Sequence, residues 1–203
     1  MDKRNWKIIC SDFDGMEKKA AELISRELGQ YILRDWGVYT IHVLACEKEN
    51  GFPTDCSAVV VGTYSESSVI RELVNESDIP KDGYVVKVID NPKNPEFKLA
   101  IVTAIEKREV FYGAVDFVDD YFASAVPHNG SLRQTQDLFT KKMPDYYNAS
   151  APKIKTRSVF TWGHPINDYR EYIENMARLR LNQLIIWNDY APVNAKDIVD
   201  YAH

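Results

Sequence analysis

Residues 156–203 read TRSVFTWGHPINDYREYIENMARLRLNQLIIWNDYAPVNAKDIVDYAH and carry the clearest pattern in the chain. Short apolar runs at 156–162 and 183–187 are typical of buried strands. Amphipathic segments follow them at 169–181 and 195–202, and each begins with a capping pattern, since Asp168 and Asn194 precede an acidic residue three positions on. Strand, helix, strand, helix at this spacing predicts a parallel β-α-β-α unit.

Such a unit is incomplete as a fold, because two strands with two helices cannot bury both faces of their sheet. A complete (β/α)8 barrel takes about 250 residues, whereas this part of the chain runs only from 156 to 203. We therefore expect one of two arrangements. Either these strands extend an earlier sheet, or the chain is the front end of a larger protein and holds the first βαβ units of a truncated TIM-type barrel.

The preceding part of the sequence predicts an α/β domain in which helices pack on a mixed sheet. The turn SDFDG is followed by a helix that Asp14 caps, with Glu17 completing a capping box. The run AVVVGTY is apolar enough for a strand buried on both faces, and the turn NPKNPE between two strands indicates a hairpin. Predicted strands lie at 7–10, 38–46, 58–64, 83–90 and 97–105, and predicted helices begin at Asp14 and lie at 65–76 and 109–124.

Between these two parts, residues 125–155 show weak periodicity and contain Pro127, Pro144 and Pro152. Irregular stretches of this length are uncommon inside a compact domain, so we predict a linker or an irregular excursion. The expected organisation is a small α/β domain at 1–124, the linker at 125–155, and the start of a barrel at 156–203. The stripe of Tyr112, Phe117, Tyr121 and Phe122 is expected to be core.

Composition narrows the function classes. The chain has 203 residues, 45% of them apolar and 27% charged, with a formal net charge of −5, so we expect no nucleic-acid partner. No apolar run reaches the length of a membrane span, and the N-terminus lacks the apolar core of a signal peptide. Three cysteines without a CxxC spacing favour a reducing, cytoplasmic location. Sequence motifs for metal or cofactor binding do not occur, and we expect neither.

Two stretches resemble a known group of enzymes. The run DGYVVKVID…KLAIVTAI…VFYGAVDFVDDY, with Tyr84 in its "GY" and Tyr112-Gly113 in its "YG", resembles the small α/β domain that precedes the catalytic barrel in β-N-acetylhexosaminidases, α-glucuronidases and related glycoside hydrolases. The strand DCSAVVVG matches as well. Residues 156–203 resemble the first strand, first helix and second strand of such a barrel, with Arg157 ahead of the first strand.

The resemblance implies that catalysis and structural support belong to different parts of a longer protein. The catalytic carboxylates of these enzymes lie on later barrel strands, so no catalytic residue is assigned here, and the 203-residue chain is expected to be inactive alone. Carbohydrate would be the partner of the full-length parent. The small domain would support the barrel.

Candidate sugar contacts lie where the two barrel-type strands end. The carboxyl ends of barrel strands form the active-site face, and aromatic faces with nearby amides suit sugar rings. The candidate substrate-binding residues are therefore Trp162, His164, Trp187 and Asn188. A tryptophan here could instead pack into the barrel top or a domain interface.

Several acidic groups have plainer interpretations. Asp12 and Asp14 belong to a turn and a cap, while Asp116, Asp119 and Asp120 are expected on the solvated face of a helix. The alternative to a glycoside hydrolase is a stand-alone, non-enzymatic α/β binding or scaffold module whose βαβ tail docks on the first sheet. An exposed C-terminal βαβ also predicts a homodimer in which a second copy covers it.

Overall fold

The protein is represented by a computed structural model that describes residues 6–32, 46–122, 143–162, 166–187 and 195–202. It divides into two compact units, unit 1 (Met1–Ala151) and unit 2 (Pro152–His203). Within the described ranges, no helix is long and apolar enough to cross a membrane.

Unit 1 is built on a six-stranded mixed sheet, which confirms the α/β class. Its strand order is β2-β1-β3-β5-β4-β6. Strands β2, β1, β3 and β5 are parallel, and β4 runs antiparallel to both of its neighbours. The predicted hairpin is therefore confirmed as β4–β5. The strands are β1 (Trp6–Cys10), β2 (Cys46–Lys48), β3 (Ser57–Thr63), β4 (Tyr84–Asp90), β5 (Lys98–Ala104) and β6 (Tyr146–Ser150).

Helices cover both faces of this sheet. Helices α1 (Gly15–Ile32) and α3 (Lys107–Asp116) pack against each other and against the central strands, while α2 (Ser68–Leu73) packs on β3. Alternate residues of a strand face opposite sides. Accordingly, Ile101 of β5 lies in the core with the apolar residues of α2, whereas Val102 contacts α3.

The segment after α3 departs from the predicted helix at 109–124. The α-helix ends at Asp116 and continues as a π-helical segment, Phe117–Phe122. The predicted aromatic core is confirmed, because all four side chains of the stripe are buried. A short 3-10 turn, Glu76–Asp78, follows α2 in place of the longer helix expected at 65–76. Of the strand predicted at 38–46, only Cys46 is described, and it begins β2.

Strand β6 was not expected, since it falls in the segment 125–155. Side chains from distant parts of unit 1 contact the residues just before β6. The ammonium of Lys98 lies 2.8 Å from a carboxylate oxygen of Asp90 and also contacts Asp145. The hydroxyl of Tyr121 donates a hydrogen bond of 2.9 Å to the carbonyl of Pro144. These contacts join residues far apart in sequence, so periodicity within the segment does not show the strand.

Unit 2 contains the predicted β-α-β-α series. Its elements are β7 (Ser158–Trp162), α4 (Tyr169–Arg178), β8 (Gln183–Trp187) and α5 (Ala195–Ala202). Strands β7 and β8 pair in parallel. The predicted cap of α4 is present, since Asp168 accepts a hydrogen bond of 3.2 Å from the backbone N–H of Glu171. The cap expected at Asn194 lies outside the described residues.

Arg157 connects the start of β7 to the turn before β8 through hydrogen bonds. Its backbone N–H donates to the amide oxygen of Asn182 at 2.8 Å, and its guanidinium donates to the carbonyls of Ile154, at 2.7 Å, and Arg180. Arg157, which precedes β7, thus fixes the amino ends of both strands.

Candidate functional site

The two tryptophans predicted to bind sugar are the last residues of neighbouring strands. Trp162 is the last residue of β7, Trp187 is the last residue of β8, and the two are direct partners in the strand register. Their backbones therefore lie side by side at the carboxyl edge of the pair. His164 and Asn188, and the side chains of both tryptophans, lie outside the described residues.

The strand pair of unit 2 has one exposed and one half-buried face. Phe160 and Ile185 are register partners, with 44% and 38% of their surface exposed. The residues that alternate with them, such as Val159 and Leu184, are half-buried. Phe160 and Ile185 thus form an exposed apolar pair on one face of the two strands.

Unit 1 presents a second candidate at the carboxyl edge of its parallel strands. The chain leaves β1 through α1 to reach β2 on one side, while β3 pairs with β1 on the other. In open α/β sheets, ligands bind outside the strand ends where the order reverses in this way. We call this region the switch-point edge, and it is formed by Ser11, Asp12, Glu17, Thr63, Glu66 and Lys107.

The centre of the switch-point edge is Glu17, whose side chain is fully buried. One carboxylate oxygen accepts a hydrogen bond of 2.8 Å from the backbone N–H of Thr63. The other accepts from the backbone N–H of Asp12 and the hydroxyl of Ser11, both at 2.9 Å. Burial raises the pKa of Glu17, and these three hydrogen bonds partly offset the rise.

This geometry corrects the predicted role of Glu17. The sequence placed it in a capping box with Asp14, but its carboxylate bonds to the ends of β1 and β3 instead. The carboxylate of Asp14 accepts a hydrogen bond of 2.7 Å from the backbone N–H of Gly15. A capping side chain accepts from the second or third residue of the helix, so this contact does not confirm the predicted cap. The partner Thr63 is 46 residues from Glu17, so no local pattern indicates the contact.

The outer part of the switch-point edge is an ion-pair network. The ammonium of Lys107 lies 2.9 Å from a carboxylate oxygen of Asp12 and 3.8 Å from one of Glu66. The hydroxyl of Thr63 donates to Glu66 at 2.9 Å. Hydrogen bonding and charge from Lys107 lower the pKa of Asp12. The polar groups of this edge therefore bond to one another.

Asp116 is a second carboxylate whose predicted position was wrong. It is fully buried, whereas Asp119 and Asp120 are exposed as expected. Its carboxylate oxygens accept hydrogen bonds from the side-chain amide of Asn148 at 3.0 Å and from the hydroxyl of Tyr146 at 3.5 Å. Burial, with the nearby Asp116 carboxylate, raises the pKa of Tyr146 to about 12. Asp116 thus holds β6 against the helical layer.

The described part of the chain contains no group of three or more His, Cys, Asp or Glu side chains placed to hold a metal ion. Burial raises the pKa of Cys10 to about 12 and that of Cys56 to about 11. Both are therefore thiols at neutral pH and poor nucleophiles.

Comparison with known proteins identifies the fold. No family model matches the sequence, and a comparison with curated proteins finds no match. Among solved structures, the chain is similar to CpGH84D, a glycoside hydrolase family 84 protein, with a TM-score of 0.53 and 13% identity. The similarity covers 91% of this chain and 27% of that chain, so this chain spans about a quarter of its length. At this identity the likeness shows a shared fold.

Proposed function

We propose that this chain is the N-terminal part of a glycoside hydrolase that acts on carbohydrate, of the hexosaminidase or glucuronidase type. Unit 1 is the accessory domain that supports a catalytic barrel, and unit 2 supplies the first two βα repeats of that (β/α)8 barrel. The catalytic carboxylates belong to later strands of the parent protein, so the 203-residue chain does not hydrolyse glycosides alone.

The extent of the fold likeness carries the proposal. Unit 1 ends at residue 151 of 203, so a likeness over 91% of the chain extends into unit 2. A likeness of this extent to part of a glycoside hydrolase chain supports an assignment in which a small α/β domain is followed by the βα repeats of a glycoside hydrolase barrel. That chain is several times longer, which leaves room for the remaining repeats.

The open face of unit 2 supports the barrel assignment. A barrel interior is filled by layers of apolar side chains from its strands, with helices on the outside. Phe160 and Ile185 are the exposed partners on one face of β7 and β8. We assign them to the barrel core, where further strands cover them.

The same strand pair supports a sugar-binding role for the predicted residues. The two-residue period of a strand predicts that Trp162 and Trp187 share the face of Phe160 and Ile185, one step nearer the carboxyl edge. In a barrel this is the active-site end. Together with His164 and Asn188, the tryptophans would offer stacking surfaces and hydrogen-bonding groups to a sugar.

The switch-point edge supports a structural role for unit 1. Its central position is filled by the carboxylate of Glu17, and its outer groups are joined in ion pairs. The place where an open α/β sheet ordinarily receives a ligand is thus filled by the protein itself, which fits a domain that supports a neighbouring catalytic domain.

The proposal is tested by expressing the full reading frame of the gene beside residues 1–203 and assaying both with nitrophenyl glycosides. We expect turnover by the longer protein, because two positioned carboxylates are the minimum for the reaction, and none by the shorter one. A frame that ends at residue 203, or a longer protein inactive on every glycoside, would favour the stand-alone binding or scaffold module. Turnover by residues 1–203 that one substitution within them abolishes would contradict the proposed division.

A further inference from the structure

We propose that the ends of β1 and β3 form a carboxylate-binding site whose resident ligand is the side chain of Glu17, and that this site accepts a free small carboxylate when the side chain is removed. The proposal concerns unit 1 alone and is independent of the function proposed for the longer protein.

The donors of the site are fixed by the sheet. Thr63 is the last residue of β3, Ser11 directly follows β1, and Asp12 begins the turn that leads to α1. Two of the three donors are backbone N–H groups, whose direction follows from the strands rather than from side-chain rotamers. They contact both oxygens of one carboxylate at 2.8 and 2.9 Å.

Gly62 allows the hydroxyl donor to come close. A β-carbon at this position would lie 2.3 Å from Oγ of Ser11 and 3.6 Å from Oε1 of Glu17. Since real β-carbons do not approach to 2.3 Å, any larger residue would displace Ser11. The glycine thus leaves room for Ser11 beside the carboxylate.

The position of the site in the fold is the one at which open α/β sheets bind external ligands. Backbone N–H groups at strand ends are commonly used to hold anionic groups there. Here the donors are directed at an internal anion carried by the first turn of α1. The chemical class of the ligand is therefore a carboxylate, and the backbone supplies most of its hydrogen bonds.

Truncation of Glu17 should empty the site without altering its donors. The change Glu17→Ala removes a methylene and a carboxylate, which together are the heavy atoms of acetate. Acetate can therefore fill the volume vacated and receive the same three hydrogen bonds. For a ligand of this size, we expect a dissociation constant on the order of 1–10 mM.

The first experiment measures the melting temperature of Glu17→Ala in sodium acetate and in sodium chloride at equal ionic strength and neutral pH. We expect it to be higher in acetate and to rise with acetate concentration toward saturation, because a ligand that binds the folded state stabilises it. The wild type and Glu22→Ala, an exposed position on the same helix, should show no difference between the salts. An equal response of all three proteins would overturn the proposal.

A second measurement serves if Glu17→Ala does not fold in either salt. The change Ser11→Ala leaves Glu17 in place and removes one donor to its ionised form, so the pKa of Glu17 should rise. Carboxyl carbon NMR reports it directly. Ser65→Ala removes an exposed hydroxyl near the same edge and should leave the pKa unchanged. A pKa that does not move in Ser11→Ala would show that these donors do not form a carboxylate site.

Discussion

Gly113 of α3 lies directly over Tyr84 of β4, so close that a β-carbon on the glycine would sit 3.3 Å from Cβ of Tyr84. It would also lie 3.0 Å from Cγ1 of Val102 on the adjacent strand. Tyr84 and Gly113 belong to the two motifs on which the expectation of a glycoside hydrolase accessory domain is based. Gly83 has a similar role, since a β-carbon there would approach the carbonyl of Ser150 to 2.3 Å. The motifs mark places of close backbone packing.

We expect Gly113→Ala to destabilise unit 1 although it lies within a helix. In an exposed helix this change gains about 1 kcal/mol. Here the new methyl group meets Val102 and Tyr84, both buried in the sheet, and overpacking of this kind costs about 1–3 kcal/mol. A urea titration that shows a lower midpoint at an unchanged m-value would agree. A gain in stability near that of an exposed site would show that α3 is free to shift.

The buried ion pair at the start of β6 should respond asymmetrically to substitution. Lys98 is almost fully buried, whereas its partner Asp145 is largely exposed. Replacing Lys98 by methionine leaves Asp145 exposed to solvent but takes the ammonium away from the buried Oδ1 of Asp90, so we expect a loss of about 1 kcal/mol. Removing both Asp90 and Asp145 leaves a buried ammonium without those partners and should cost at least about 2 kcal/mol. Equal effects in chemical denaturation would contradict this account.

The pH dependence of the free energy of unfolding at acidic pH should depend on Lys107. This residue lowers the pKa of Asp12 below the usual 3.8. Asp12 therefore contributes stability that is present above pH 3.8 and is lost as the pH falls through its folded value. In Lys107→Met the pKa of Asp12 should move up toward the usual value and this contribution should shrink, since Lys48 and the backbone N–H of Phe13 still lower that pKa. Lys48→Met should also raise the pKa of Asp12, but by less than Lys107→Met does. NMR titration of Asp12 measures both shifts, and a larger shift in Lys48→Met would contradict this prediction.

Hydrogen exchange should separate the two strand systems. Strands β3 and β5 are buried along their whole length, whereas β7 and β8 expose Phe160 and Ile185 on one face. In residues 1–203 we expect the amides of β7 and β8 to exchange faster, because opening them exposes less new apolar surface. Equal protection in a proven monomer would show that the open face is covered within this chain, and would weaken the barrel assignment.

The sequence predicts those elements whose signals are local. The β8 bounds match the predicted 183–187, and the cap at Asp168 and the β4–β5 hairpin follow from adjacent residues. The errors concern groups held by distant partners. Asp116 is buried because it binds Asn148 and Tyr146 of β6, and β6 is itself fixed by side chains far away in sequence. Once β6 is missed, Asp116 is misplaced as well.

The candidate sites differ in the same way. Trp162 and Trp187 end two predicted strands, and the structure places their backbones as register partners; their role in binding stays a prediction. The switch-point edge was not found, because Glu17 in the first turn of a helix has the pattern of a cap. Its carboxylate is bonded to a residue 46 positions away, and only the folded sheet brings the two residues together.

In the proposed enzyme, the carboxyl edge of β7 and β8 faces the sugar. The decisive measurement compares kcat/KM and the melting temperature of Trp162→Ala and Trp187→Ala in the protein encoded by the full reading frame. Loss of a stacking surface and a hydrogen bond worth about 1–3 kcal/mol predicts a fall in kcat/KM of about 5- to 150-fold, with a smaller effect on the melting temperature. A large loss of thermal stability with unchanged kinetics in both variants would contradict the claim and place the sugar contacts on other strands.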